Sequence, residues 1–196
     1  HASTFPCAGS FTGPAQGMLG GMTSDEELMM QYQAGNTAAF DTLYEKYRGD
    51  VYRFLLRQFD TATAEELYQD VWIKLIQARD RYQPSARFRT WLYTVTHNHI
   101  TDYYRKHRVT VVADCNEGIE TRAPERIAQD QQILAVLHAG IRQLPDVQRE
   151  AFLLKEETGL SLDEIAEVMG ASKESTKSRL RYATARLREQ LKGLWP

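Results

Sequence analysis

Leu160-Ser-Leu-Asp-Glu-Ile-Ala-Glu-Val-Met-Gly-Ala-Ser-Lys-Glu-Ser-Thr-Lys-Ser-Arg-Leu180 decides the fold of the chain. Ser161 followed by Glu164 has the form of a capping box, which predicts a helix start, and Leu162, Ile165, Ala166 and Met169 give that helix one apolar face. Gly170 stops it by supplying the left-handed backbone of a sharp turn. Ser172 can cap a second, longer helix directly afterwards. The pattern is that of a helix-turn-helix.

On the second helix Thr176, Leu180, Ala183, Leu187 and Leu191 recur at helical spacing and predict a core-facing stripe. Glu174, Ser175, Ser178, Arg181 and Tyr182 point the other way, with Lys173 and Lys177 on the flank. Such short polar and cationic groups can reach base edges and phosphates in a major groove. From Ser172 onward seven basic residues (Lys173, Lys177, Arg179, Arg181, Arg186, Arg188, Lys192) face two acidic ones (Glu174, Glu189). An ordinary amphipathic helix with a solvated basic face has the same composition. The capped helix, glycine turn and basic second helix together point to DNA.

A net charge of -2 and a pI near 6.2 look wrong for a nucleic-acid binder, but the average hides a segregation. Between Met22 and Asp80 eleven acidic residues stand against six basic ones, and the balance reverses later. Separate acidic and basic surfaces suit a chain that touches protein with one and nucleic acid with the other. Cys7 and Cys115 belong to no Cys-x-x-Cys or Cys/His cluster, so neither zinc nor a disulfide framework is indicated. The sequence also shows no nucleophile beside a base and no glycine-rich phosphate loop, so neither an enzyme nor a cofactor is expected. No apolar run approaches the ~20 residues of a membrane span, and a cytoplasmic location is expected.

Residues His1 to Gly21 are rich in Gly, Ser, Thr, Ala and Pro without helical period, and read as a disordered tag or leader. Thr23 or Ser24 then caps a first helix with Leu28, Met29 and Tyr32, ending near Gly35. A second carries Phe40, Leu43, Tyr44, Tyr47, Val51, Phe54 and Leu55. Thr63 with Glu66 predicts another capping box, followed by Leu67, Val71, Leu75 and Ile76, with Pro84 closing the segment. The fourth helix starts near Phe88 and ends in Arg105-Lys-His-Arg108. Glu66 and Asp70 lie on one face of the third helix, which fits a solvated face and a protein-docking surface equally. On the fourth, Phe88, Trp91, Tyr93, Tyr103 and Tyr104 alternate with Arg87, Arg89, His97, His99, Arg105, Lys106 and Arg108. That mixture can grip single-stranded nucleic acid by stacking and phosphate contact, although any one aromatic is as well explained by a core.

Val109 to Ile127 has no steady period and approaches twenty residues, longer than a compact domain spends on a structureless loop. It reads as a flexible linker between two small helical domains of an all-α chain, 22–108 and 128–196. The second contains a helix with Ile133, Leu134, Val136, Leu137 and Ile141, then one with Ala151, Phe152 and Leu154, then the helix-turn-helix. The linker's reach, on the order of 25 Å, lets the domains touch. Charge predicts that the basic face of Lys177, Arg181 and Arg186 then meets the acidic first domain and is hidden from DNA.

These residues carry a family resemblance. Leu144-Pro-Asp-Val-Gln-Arg-Glu-Ala-Phe-Leu-Leu-Lys155, Gly159 to Gly170, and Ser175-Thr-Lys-Ser-Arg-Leu180 closely resemble the fourth conserved region of the extracytoplasmic-function sigma factors of bacteria. Ala39-Phe-Asp-Thr-Leu-Tyr-Glu-Lys-Tyr47, Ala64-Glu-Glu-Leu-Tyr-Gln-Asp-Val-Trp72 and Phe88-Arg-Thr-Trp-Leu-Tyr-Thr-Val-Thr-His-Asn98 are similar to successive parts of its second region. The resemblance implies a dissociable initiation subunit of RNA polymerase, with core polymerase and promoter DNA as partners and an anti-sigma factor, often membrane-anchored, as its usual regulator.

By position it implies polymerase contact at Glu66, Gln69 and Asp70, and a flipped-out promoter base at Asn98. That assigns the basic aromatic helix (Arg87, Arg89, Trp91, Tyr93, His97, Asn98, Arg105, Lys106, Arg108) to the start-proximal element and its melting. Lys177, Ser178, Arg181 and Tyr182, with Lys173 and Ser175 beside them, fall on the upstream-element face. Tyr68 stands where the family usually has an aliphatic residue, and His97 and His99 flank Asn98 unusually. A stand-alone helix-turn-helix regulator, with the first domain as sensor or dimerisation unit, is the alternative function.

Overall fold

The computed structural model describes residues 23–108 and 129–192. The expected leader and linker lie outside them. Among the described residues the elements are α1 (Asp25–Gln33), α2 (Thr37–Leu56), α3 (Thr61–Gln77), a short 3-10 turn (Arg79–Arg81), α4 (Phe88–Arg108), α5 (Gln129–Arg142), α6 (Asp146–Thr158), α7 (Leu162–Val168) and α8 (Lys173–Leu191).

Helix starts follow local chemistry. Ser24 accepts the Glu27 amide at 3.1 Å while Glu27 accepts the Ser24 amide at 2.9 Å, a reciprocal cap for α1. Ser161 and Glu164 do the same for α7. The expected box at Thr63 and Glu66 is not the start of α3. Asp60 caps that helix by accepting Thr63 N–H at 3.1 Å, so it begins at Thr61 and Thr63 lies inside its first turn. The segment ends at Gln77, well before Pro84, because the chain tightens into the 3-10 turn first.

In the first unit α2 packs on α1 and α3, and α3 on α4. Met29, Leu43, Val51, Leu55, Leu75 and Leu92 are fully excluded from water, each adding on the order of 1.5–3 kcal/mol of burial. In the second unit α5, α6 and α7 pack against α8. Thr176, Ala183 and Leu187 are buried as predicted, while Leu180 and Leu191 are half-buried at the margin. Gly140 permits close approach of α5 to α8, since a methyl there would run into Gln190 and sit 3.1 Å from Leu187 Cδ2. Gly159 (φ 67°) and Gly170 (φ 55°) take the left-handed conformation that turns α6 into α7 and α7 into α8.

The two units pack together, but not through the surface that charge alone predicts. α7 lies on α4 and α6 on α2, while Lys177, Arg181 and Arg186 of α8 remain exposed. Buried partners outrank long-range attraction between solvated charges, which salt screens.

Candidate nucleic-acid and protein-docking surfaces

Three surfaces emerge from the helices. On α3, Glu66 and Gln69 are exposed and Asp70 is about half-exposed, all on one stripe. Ile73 and Ile76 continue the stripe at 51% and 41% exposure, an apolar extension that the sequence reading missed. By helical spacing alone Ile76 reads as core. Leu67, Val71 and Leu75 already complete the inward face, which is the signal that Ile73 and Ile76 must point outward. Beside the stripe runs a shallow groove of about 820 Å³ lined by Tyr44, Arg48, Tyr52, Tyr68 and Gln69. Tyr68 earns its unusual place by donating to the Tyr44 hydroxyl at 3.0 Å and standing edge-on to Tyr52 and Trp72.

The second surface lies on α4. Trp91, Thr94, Val95 and Asn98 share one face and, with Lys74, Gln77 and Arg81, line a pocket of about 370 Å³. Asn98 is exposed, and its amide offers donors and an acceptor to a base edge. Trp91 is half-buried, held edge-on against Tyr82 at 5.2 Å. Lys74 and Arg81 supply positive charge near the pocket.

The other α4 residues divide sharply. Tyr93 is 1% exposed and packs edge-on against Phe54, so it is core and cannot meet promoter DNA as the sequence suggested. Arg89 is half-buried, with its guanidinium 5.5 Å from the Tyr47 ring and Nη1 donating to Thr158 O at 2.8 Å. Its reach outward is correspondingly reduced. Arg87, one residue before α4, and Arg105 and Lys106 within it are exposed, Arg105 pairing with Asp102 at 3.0 Å. Arg108 is the last residue of α4.

The two unusual histidines have different surroundings. His97 is largely buried and its Nδ1 lies 2.8 Å from Glu150 Oε1 on α6. His99 is buried under α3. Burial, aided by Lys74, pulls its pKa below the ordinary value, so its approach to Asp70, 3.4 Å from Nε2 to Oδ2, joins a mostly neutral ring to the carboxylate at neutral pH.

The third surface is the outer face of α8. Lys173, Lys177, Arg181 and Tyr182 are exposed, and Ser175 and Ser178 are half-buried. The Arg181 guanidinium sits 5.0 Å from the Tyr182 ring, a contact that orients both. Lys173 pairs with Asp163 of α7 at 2.7 Å. Ser172 caps the helix through Ser175 N–H at 3.2 Å, so the first turn is firmly built.

Comparison with known proteins identifies both units. Residues 43–110 match the Sigma-70 region 2 family and residues 134–187 match Sigma-70, region 4. The chain is 34% identical over 158 residues to the ECF RNA polymerase sigma factor SigM of Bacillus subtilis, covering 79% of this chain and 94% of that one. It is 30% identical over 166 residues to the ECF RNA polymerase sigma factor BldN of Streptomyces coelicolor, covering 82% of this chain and 62% of that longer one. The sigma factor RpoE of Bartonella quintana, solved in complex with the anti-sigma factor NepR, shares the fold, with a TM-score of 0.66, 24% identity and coverage of 79% and 97%. The chain therefore belongs to the extracytoplasmic-function sigma factors of RNA polymerase, which are transcription initiation factors. The alternative of a stand-alone regulator is not favoured, because the first unit matches sigma region 2 rather than standing apart as a sensor.

Proposed function

We propose that this sigma factor docks on core RNA polymerase through Glu66, Gln69 and Asp70, and opens the start-proximal promoter element by holding one unstacked base in the Asn98 pocket. Arg87, Arg105, Lys106 and Arg108 attract the neighbouring phosphates, and Trp91 forms one wall of the base pocket. Lys173, Ser175, Lys177, Ser178, Arg181 and Tyr182 read the upstream element from the major groove. The observation that carries this reading is the exposed Asn98 amide, which shares a pocket of about 370 Å³ with Trp91, Lys74 and Arg81. A base leaving the stack forfeits a few kcal/mol, and a preformed pocket with matching polar groups returns it.

On this reading the protein works by binding alone. It lowers the barrier to duplex opening without supplying a catalytic group, and it acts in the cytoplasm beside the polymerase. Among the described residues no helix is long and apolar enough to cross a membrane. An anti-sigma protein restrains it when transcription is not needed, a role supported by the Bartonella relative having been solved with such a partner. Permanganate footprinting of polymerase complexes tests the central step: N98A should form closed complexes yet lose thymine reactivity near the start site. Normal reactivity would refute the pocket's role.

A further inference from the structure

Arg53 and Arg57 stand one turn apart on α2, and His138 and Arg142 stand one turn apart on α5. The two pairs line a cleft of about 280 Å³, to which half-buried Leu56 and buried Ile141 supply the apolar lining. Three guanidinium groups and an imidazole thus gather in one notch between two helices.

Carboxylates do not balance that charge. Asp50 lies 2.5 Å from Arg53 Nη2, but the two side chains are 59% and 37% exposed, and Glu157 approaches Arg57 Nε only to 3.4 Å. Exposed pairs of this kind contribute little. Arg142 is exposed and has no ion-pair partner among the described residues. Arg57 Nη1 touches His138 Nε2 directly. A guanidinium can only donate, so the ring nitrogen accepts and is unprotonated. Desolvation, with Arg57 and Arg142 beside it, holds the His138 pKa below the ordinary value, as expected where positive charge is crowded around a ring.

An anion between the two walls would relieve the repulsion and gain charge-assisted hydrogen bonds. The planar fork of Arg matches phosphate oxygens bidentately, and forks from two helices can grip two joined phosphoryl groups at once. The cleft shares no residue with the Asn98 pocket or with the outer face of α8. It is a confined notch, whereas a nucleic-acid backbone is tracked by a continuous basic groove.

We propose that the notch between α2 and α5 binds a small molecule through a pyrophosphate group, with Arg57 and Arg142 gripping it from opposite walls and Arg53 and His138 beside them. The shared chemistry is the linked phosphoryl pair, whether inorganic or the tail of a nucleotide. The site lies outside the residues assigned to polymerase docking and promoter binding.

Isothermal titration calorimetry of the full chain tests this with sodium pyrophosphate at about 0.15 M salt, where long-range attraction is screened within ~8 Å. Pyrophosphate should bind at one site per chain, about tenfold tighter than orthophosphate, because its second phosphoryl reaches the opposite wall. R142Q, at an exposed and unpartnered position, should weaken pyrophosphate binding about tenfold while leaving the thermal midpoint of the free chain unchanged. R57Q/R142Q should abolish binding. The control R188Q removes one charge from an exposed position of α8 outside the cleft and should bind as wild type does. In wild type, pyrophosphate should also shift the His138 ring resonances. ADP and GDP titrated in parallel separate the sources: tighter binding than pyrophosphate assigns the site to a nucleotide tail, and weaker binding assigns it to the inorganic anion. Pyrophosphate binding no tighter than orthophosphate would overturn the proposal. So would an affinity that R142Q and R57Q/R142Q leave unchanged, or one that R188Q lowers as much as R142Q does.

Discussion

The Glu26 carboxylate of α1 accepts the amide N–H of Phe88 at 2.9 Å, so the helix carrying the Asn98 pocket receives its first bond from an acid at the far end of the same unit. An acid at a helix start satisfies an orphan donor and complements the positive end of the helix. E26A should therefore destabilise the chain by about 1 kcal/mol, read as a lower urea midpoint with unchanged slope. A loss within about 0.5 kcal/mol would show that α4 starts without this cap.

Tyr93 and Asn98 make opposite predictions from neighbouring turns. Tyr93 is enclosed against Phe54, and Y93A should cost about 3–5 kcal/mol through a cavity. N98A at an exposed position should change stability by no more than about 0.5 kcal/mol. Thermal melting of the two variants decides, and a mild Y93A would show that Tyr93 is not an enclosed core residue.

The sequence made the helical content legible wherever caps and periodicity agreed, as at Ser161 with Glu164, while at the first helix it left Thr23 and Ser24 as alternative caps and the structure selects Ser24. It misplaced the start of α3 because Thr63 and Glu66 satisfy the capping-box pattern while Asp60 competes for the same amide. Asn98 stood out only through family resemblance, since one exposed amide in a helix has no period of its own. Tyr93 and Trp91 could not be separated by spacing. Which ring is enclosed depends on Phe54 and Tyr82, distant in sequence. The packing of α6 on α2 and of α7 on α4 was illegible because it joins residues across a long unpatterned segment.

His99 and His138 both have pKa values below their ordinary value, the first through burial aided by Lys74 and the second, at an exposed position, through partial desolvation beside Arg57 and Arg142. As pH falls below about 6.5 the unfolded chain takes up these protons first. Their contribution to stability is therefore complete above that value and lost as pH drops through the folded-state values. H99L removes a buried ring whose nitrogens lack hydrogen-bond partners, so its stability relative to wild type should improve between about pH 7.5 and pH 5.5. A relative stability unaffected by pH would show that His99 does not contribute to the acid sensitivity.

The outer face of α8 makes a prediction about salt. K177A and R181A should each weaken upstream-element binding, and K177A should flatten the log affinity against log salt plot by about one ion if it contacts phosphate. R181A should additionally relax base preference if its guanidinium reaches a base edge. Equal losses on all sequences for R181A would reassign it to the backbone.

Transcription by the reconstituted holoenzyme requires both core docking at α3 and promoter opening at the α4 pocket. Core polymerase with the wild-type chain should produce discrete run-off transcripts from sheared genomic DNA, whose 5′ ends share two spaced upstream elements. E66K/D70K should abolish both core binding and these transcripts while retaining helix content, and N98A should retain core binding and lose the transcripts. Specific transcripts at undiminished yield from both variants would contradict the assignment of α3 to polymerase and of the α4 pocket to promoter opening.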